Sequence, residues 1–269
     1  MRAVRGEWHR AARRRVVAAC LAALACSTCF TCLMTQAHAA ASAPGGDAIS
    51  RAERLLFTTD HLHGLAQQTE LDYTLVSADP SARGTDTVKV LVTSPDNAKG
   101  DAQVSDHSGA VSLPNGNLQC NPVIIYFLER DIAEMEHLTG GQRRYFQRRL
   151  RLALAAGPKI QTVTSQVDGK PVKAQQIVVQ PYLDDPNAER FAQYTAKRYT
   201  FLMAATVPGQ VALIRTDVPG ANNDFAHPLQ SRTLSFQSML HKLPPASAPG
   251  SPSAPAAPGK SSNAPRASR

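Results

Sequence analysis

From Glu70 onward apolar and polar residues alternate: Leu71, Tyr73 and Leu75 take every second position, and Val88, Val90 and Val92 repeat the pattern. A period of two marks strands with one buried face. The segment from Asp79 to Gly84, with Pro80 and Gly84, reads as the turn between them, and weaker strands are expected around Ala102–Val104 and Ala110–Leu113. Ahead of these, Asp47 precedes a short helical stretch in which Ile49, Ala52, Leu55 and Leu56 share a face.

The centre of the chain changes to helical spacing. Asn121 is a good N-cap and Pro122 suits the first helical position, where a missing N–H leaves nothing unpaired. Ile124, Leu128, Ile132, Met135 and Leu138 then recur one helical turn apart. Thr139-Gly140-Gly141-Gln142 predicts the end of that helix at glycine and a capping box, Thr139 with Gln142, opening the next. Phe146, Leu150, Ala153 and Leu154 form its inner face before Gly157-Pro158 stops it. Two helices joined so tightly predict an αα-hairpin.

Strand patterns return after Pro158. Asp168-Gly169 between two β-rich runs, 160–167 and 172–179, is a hairpin signal. Asp185 before Pro186 opens a short helix through about Tyr194. Runs at 199–207 and 210–218 flank Pro208-Gly209, which fits a type II turn, and a last strand is expected through Arg232–Phe236. The sum is an α+β fold: a curved antiparallel sheet of about seven to nine strands with an inserted αα-hairpin. No βαβ alternation appears, which argues against a doubly wound parallel sheet.

The two ends differ from this core. Arg2, Arg5, Arg10, Arg13, Arg14 and Arg15 precede an uncharged run from Val16 to Met34, followed by Ala37-His38-Ala39. A basic segment, an apolar segment and a small-x-small site are the parts of a secretory signal, so residues 1–39 read as a cleaved leader and the destination as the periplasm. The alternative, a permanent anchor, is weakened by Ser27, Thr28 and Thr31 in an Ala-rich run, and no stable membrane span is expected after cleavage. Arg13-Arg14-Arg15 leaves a twin-arginine route open. Val17-Ala18-Ala19-Cys20 resembles a lipobox, but only Val16 and Val17 separate it from Arg15, too short an apolar run. Residues 40–47 read as a flexible start and 48–243 as one domain. Residues 244–269, almost all Pro, Ala, Ser and Gly, cannot bury enough surface to offset chain entropy and read as disordered.

Charge and cysteine change meaning once the leader is set aside. The whole chain is +8, from 29 Lys and Arg against 21 Asp and Glu. The leader carries six arginines and Glu7, and the tail adds Lys260, Arg266 and Arg269 with no acid, so the domain between is near neutral. A nucleic-acid binder needs its basic excess on the folded surface, and that class loses its support. Cys20, Cys26, Cys29 and Cys32 all fall in the leader's apolar run, so their metal-like spacing reads as filler. Cys120 alone remains, and the fold has no internal disulfide to rely on.

Candidate chemistry is sparse. Asp60-His61-Leu62-His63 is the most metal-like segment: Asp60, His61 and His63 could ligate zinc or copper, with His107 or His227 as a further ligand, or could form a polar loop. Glu134-x-x-His137 is half of a di-iron motif whose other half is missing. Cys120 at a helix start could be an activated thiol or a buried one. Asp184-Asp185-Pro186-Asn187 reads first as a helix cap. On the second long helix Arg144, Arg148 and Arg151, at i, i+4 and i+7, make one basic stripe. It reads as an anion- or partner-binding face, or as one rim of a hairpin whose first helix carries the complementary acids Glu129, Asp131, Glu134 and Glu136. No nucleophile elbow, P-loop or dinucleotide fingerprint occurs, and no cofactor is implied.

Asn121-Pro-Val-Ile-Ile-Tyr-Phe-Leu-Glu-Arg-Asp-Ile, Leu138-Thr-Gly-Gly, Tyr145-Phe-Gln-Arg-Arg, Asp185-Pro-Asn-Ala-Glu-Arg-Phe and Val207-Pro-Gly-Gln together resemble a group of uncharacterised exported proteins of proteobacteria, over most of residues 50–240. The resemblance implies an envelope protein and transfers no site residues. Two functions are therefore expected: a non-enzymatic module for an apolar small ligand or an envelope protein, or a periplasmic metal-dependent or hydrolytic enzyme centred on Asp60, His61 and His63. The first is preferred.

Overall fold

A computed structural model of the chain describes residues 49–78, 83–93, 102–114 and 119–241. The leader with its cysteines, the turn residues 79–82 and the tail lie outside the described residues. The fold is α+β. Among the described residues nine antiparallel strands form one open sheet: β1 (Thr69–Ser77), β2 (Gly84–Val92), β3 (Ala102–Asp106), β4 (Gly109–Val111), β5 (Ile160–Val167), β6 (Lys170–Val179), β7 (Arg198–Met203), β8 (Val211–Val218) and β9 (Gln230–His241).

The strand order is β4-β3-β2-β1-β9-β8-β7-β6-β5. Two meanders thus meet where β1 pairs with β9, Leu75 opposite Leu234 and Tyr73 opposite Phe236. The register shifts between Asp72 and Tyr73, and again between Leu202 and Met203 in the β7–β8 pair. Bulges of this kind bend a strand and increase its twist. The edge strands are β4 and β5, yet they are consecutive in sequence. Eight inter-strand steps of roughly 4.8 Å separate them, so the connection must cross the whole sheet.

That connection is the helical hairpin: α2 (Pro122–Thr139) and α3 (Arg143–Ala155). Asn121 caps α2, its side chain accepting from the Val123 N–H, and Gly140 ends it at φ 65°, as the sequence predicts. The capping box does not form. Thr139 belongs to α2, where its hydroxyl donates to the Met135 carbonyl and accepts from the Gly141 N–H, and Gln142 precedes α3 with no side-chain cap. Glycine in the left-handed conformation had already set the turn, so the threonine was free to serve the outgoing helix.

The first helix, α1 (Arg51–Glu53), continues into a π-helical turn at Arg54–Thr58 and carries a capping box of its own, Ser50 with Glu53. Ala52 and Leu56 point inward, but Ile49 lies outside the core, as does Leu138 at the end of α2. Asp168 and Gly169 both have positive φ, 50° and 69°, giving the type I′ hairpin between β5 and β6. Gln210 donates to the Val207 carbonyl across Pro208-Gly209, with Gly209 at φ 72°, as a type II turn requires. The core lies between the helices and the sheet face bearing Tyr73, Val90, Tyr199, Phe201 and Ile214. Burying each such side chain is worth roughly 1.5–3 kcal/mol.

Candidate functional site

α2 is apolar on more of its surface than one packing face requires. Val123, Ile124 and Phe127 form one buried row, while Leu128 and Ile132, buried as well, and the half-buried Ile125 form a second row about a third of a turn round the helix. That second row faces α3 and α1 across a cleft of about 490 Å³, closed by Leu150 and Leu154 of α3 and by Phe57. The volume lies in the roughly 300–1,000 Å³ range of small-molecule sites. Glu53, Glu129, Gln147 and Arg151 supply the polar rim.

Most of that rim is committed. Glu53 accepts from the Ser50 N–H in the α1 capping box. Glu129 pairs with Arg143 and accepts from the Gln147 amide. Arg151 is exposed and has no hydrogen bond or ion pair among the described residues. The cleft therefore has apolar walls and one uncommitted cation at its edge. A second hollow, about 550 Å³ at the α2–α3 turn, has Phe146 and Phe191 as walls, but the exposed Gly140, Gln142, Asn187 and Arg190 also line it. Its lining is more polar than that of the first.

Two buried polar networks hold the cleft's walls in place. In the first, Asp131 accepts from Lys197 Nζ at 2.7 Å and from the Tyr199 hydroxyl at 2.6 Å, and Tyr199 also meets the Tyr182 hydroxyl at 3.1 Å. Burial, with Asp131's charge as the next cause, pushes both tyrosine hydroxyls well above their usual range, so they remain neutral donors. One turn along, Arg232 of β9 forks onto Glu134. These contacts fasten the middle of α2 to β7 and β9.

The second network centres on Asn121, which is fully buried. Its amide donates to the Tyr73 hydroxyl (2.8 Å) and to the Gly209 carbonyl (3.0 Å), and its backbone N–H donates to His61 Nδ1 (3.1 Å). His61 Nε2 in turn donates to the Leu55 carbonyl at 2.8 Å. The π-helical turn after α1, the start of α2, β1 and the β7–β8 turn are thereby joined at one point. A side chain at Gly209 would meet Leu71 Cδ1 at 2.5 Å and Asn121 Nδ2 at 2.6 Å, so the glycine serves close approach as well as its positive φ.

This geometry bears on the metal-like segment. Both His61 nitrogens face backbone groups, and burial, against the smaller effects of the Leu55 carbonyl and Asp60, lowers the imidazole's pKa. A neutral ring that donates through Nε2 and accepts through Nδ1 has no lone pair left for a metal. His63 is exposed, 3.8 Å from Asp60, and Asp60 Oδ1 accepts from the Leu62 N–H. The structure does not gather Asp60, His61 and His63 around a common point. His227 pairs with Asp224 instead.

His107 sits with Asp86 and Asp106, the grouping among the described residues whose ligand atoms lie within 4.8 Å of one another. His107 Nδ1 is 2.6 Å from Asp86 Oδ2. Asp106 already accepts from Ser108 N–H and Oγ, from the Tyr126 hydroxyl and from Arg130 Nη1 at 3.3 Å. Burial alone would raise its pKa, but these donors and the Arg130 charge hold it below the usual range. Through Tyr126 and Arg130 the cluster ties the β3–β4 turn to α2. No sequence spacing announces it, because the three residues come from two strands and a turn.

The remaining candidates separate cleanly. Of the arginines on α3, Arg143 turns to Glu129 and Arg149 to Asp185 at 2.8 Å, whereas Arg144, Arg148 and Arg151 stay exposed and unpaired among the described residues. Complementary rims thus account for Arg143 and not for the stripe. Glu134 is committed to Arg232. Cys120 is buried, and burial pushes its thiol up to about 12, which makes it unreactive. Asp185 does not cap the short helix: that helix, a 3-10 one at Ala188–Tyr194, follows Asn187 with no side-chain cap. Asp185 instead accepts from the Asn187 N–H at 2.8 Å in the turn before it and from the Tyr145 hydroxyl.

No protein-family model matches the chain, and no curated protein matches it. Among solved structures, the Mycobacterium tuberculosis lipoprotein LppX is similar at 11% identity, with a TM-score of 0.30, over 72% of this chain and 95% of that one. A likeness that slight carries no functional inference. No helix among the described residues is long and apolar enough to cross a membrane.

Proposed function

We propose that this is an exported, non-enzymatic binding module that takes a small amphipathic ligand. The apolar part lies between α1, α2 and α3, and an anionic head meets Arg151. The observation that carries the reading is the cleft itself: walls of Ile125, Leu128, Ile132, Leu150 and Leu154, with one uncommitted guanidinium at the rim. Apolar enclosure supplies affinity and a single charge supplies orientation, the usual division in small-ligand sites. Export to the periplasm, by way of the leader at residues 1–39, and kinship with the exported proteobacterial proteins it resembles belong to the same proposal. The metal-dependent or hydrolytic alternative finds no support in the geometry around His61.

The experiment is titration of the purified protein with a fluorescent long-chain fatty acid, beside the variant Ile125→Trp. Ile125 is half-buried, so an indole there fills the cleft without displacing core atoms. Saturable binding, weakened on the order of tenfold or more in the variant, is expected, since one to a few kcal/mol of apolar contact is at stake. Equal binding by both proteins, or none by either, defeats the reading.

A further inference from the structure

α3 carries five arginines and no acid. Two of them turn inward, Arg143 to Glu129 and Arg149 to Asp185 and the Pro181 carbonyl. The other three, Arg144, Arg148 and Arg151, project from the opposite side, where they share the helix surface with Leu152, which is 50% exposed. The spacing i, i+4, i+7, i+8 places all four within one face of the helix. α1 and the π-helical turn after it adjoin it, tied by the Ser50 hydroxyl donating to the Leu154 carbonyl at 2.8 Å, and contribute exposed Arg51 and Arg54. Arg151 belongs both to this face and to the rim of the cleft.

From these placements we infer that the outer face of α3 docks on a bilayer containing anionic phospholipid, bringing the cleft's rim to the surface from which its ligand enters. The inference builds on the cleft reading for its purpose, though the docking face stands on its own residues. Arginine suits lipid phosphates because its planar fork donates two parallel hydrogen bonds to phosphate oxygens. A leucine among the arginines fits the boundary between headgroups and acyl chains, where a basic helix face lies in the membrane plane. An acidic protein would satisfy the arginines but has no such use for the exposed Leu152 among them.

The test uses the protein as a bacterial host exports and processes it. Co-sedimentation is measured with phosphatidylcholine vesicles, with and without phosphatidylglycerol, at low and raised salt. Binding is expected only to the anionic vesicles, weakening as salt rises. Each arginine near an anionic surface is worth roughly a fivefold factor, so Arg144→Gln with Arg148→Gln should lower the partition coefficient on the order of 25-fold. The charge-matched control Lys170→Gln with Lys173→Gln, on the exposed β5–β6 hairpin end, should leave it unchanged. Fatty-acid binding in solution should be intact in both variants. Equal losses in the two variants, equal binding to neutral vesicles, or binding to polyglutamate in place of vesicles overturns the docking inference. Vesicle binding with no fatty-acid binding by the wild-type protein overturns the cleft reading and leaves the docking supported.

Discussion

On the side of α2 that meets the sheet, Asp131 is held by Lys197 and Tyr199, and Glu134 by Arg232. On the side that meets α3, Ile125, Leu128 and Ile132 face a space that the protein does not fill. The first side has every charge satisfied and little room; the second has apolar surface, volume and an unpaired cation within reach. A buried ion pair adds little net stability against apolar residues of the same shape, but it is costly to break, so it fixes one helix position. An open apolar cleft forgoes packing that a closed one would gain, which is a cost a protein bears where something else is to be bound. The contrast teaches that α2 is fixed to the sheet by charged pairs on one side and lines the cleft with apolar side chains on the other.

The largest expected effect comes from breaking the anchored side. Asp131→Ala leaves a buried lysine without its counter-charge and should destabilise the fold by about 3–5 kcal/mol in urea unfolding. Replacing the pair together, Asp131→Leu with Lys197→Met, should recover much of that loss; if the double variant is as unstable as the single, the pair is not the anchor.

A middle-sized effect is expected at the second anchor. His61→Ala leaves the Asn121 N–H and the Leu55 carbonyl unpaired in the interior, at a cost of about 1–3 kcal/mol. The same residue predicts a pH dependence with a definite sign. Because burial lowers its folded pKa, the unfolded chain binds the extra proton as pH falls below about 6.5, and stability is lost over that window. Above it both states are neutral and His61 contributes no pH dependence. Urea midpoints measured from pH 7.5 to 5 (roughly bracketing that range) should fall more steeply for the wild type than for His61→Ala.

The smallest effect on stability, and the most informative about the cleft, is expected from Arg151→Gln. An exposed, unpaired side chain should change unfolding free energy by no more than about 0.5 kcal/mol. Affinity for a fatty acid should nonetheless drop about five- to tenfold, while a neutral fatty alcohol binds as before. Equal loss for acid and alcohol would mean that Arg151 does not read the head group.

How far the chain's own pattern reaches is clear from particular residues. Leu71, Tyr73 and Leu75 alternate because their strand has one buried face, and they form β1 with those side chains inward. Asn121-Pro122 and Gly140 bound α2 because the chemistry of a helix end is local. Asp168-Gly169 and Pro208-Gly209 turn where backbone conformation demands. At Thr139-Gln142 a local pattern misled, since the hydroxyl found a nearer acceptor in the Met135 carbonyl.

The site was less legible. Ile125, Leu128 and Ile132 were visible as apolar, and with Ile124 and Phe127 they make the helix apolar on two sides, a sign of double packing. What occupies the second side depends on where α3 returns. His61 read as a metal ligand because histidine pairs are rare enough to attract notice, yet Asn121, 60 residues away in sequence, supplies its partner. Asp131, Lys197 and Tyr199 likewise lie 66 to 68 residues apart or are neighbours whose alternation alone says nothing of charge.

By itself the sequence determined the elements and the class of fold, because periodicity, caps and turns act within a few residues. It also placed Arg144, Arg148 and Arg151 on one stripe, since helical spacing is arithmetic. Only the tertiary structure decided that β1 pairs with β9, which sends the helical hairpin across the sheet from one edge to the other. That crossing put α2 between a polar anchor and an apolar cleft, and left the Arg151 guanidinium at the cleft's rim. Long-range pairing sets these relations, and no local pattern encodes which distant partner a buried group will meet.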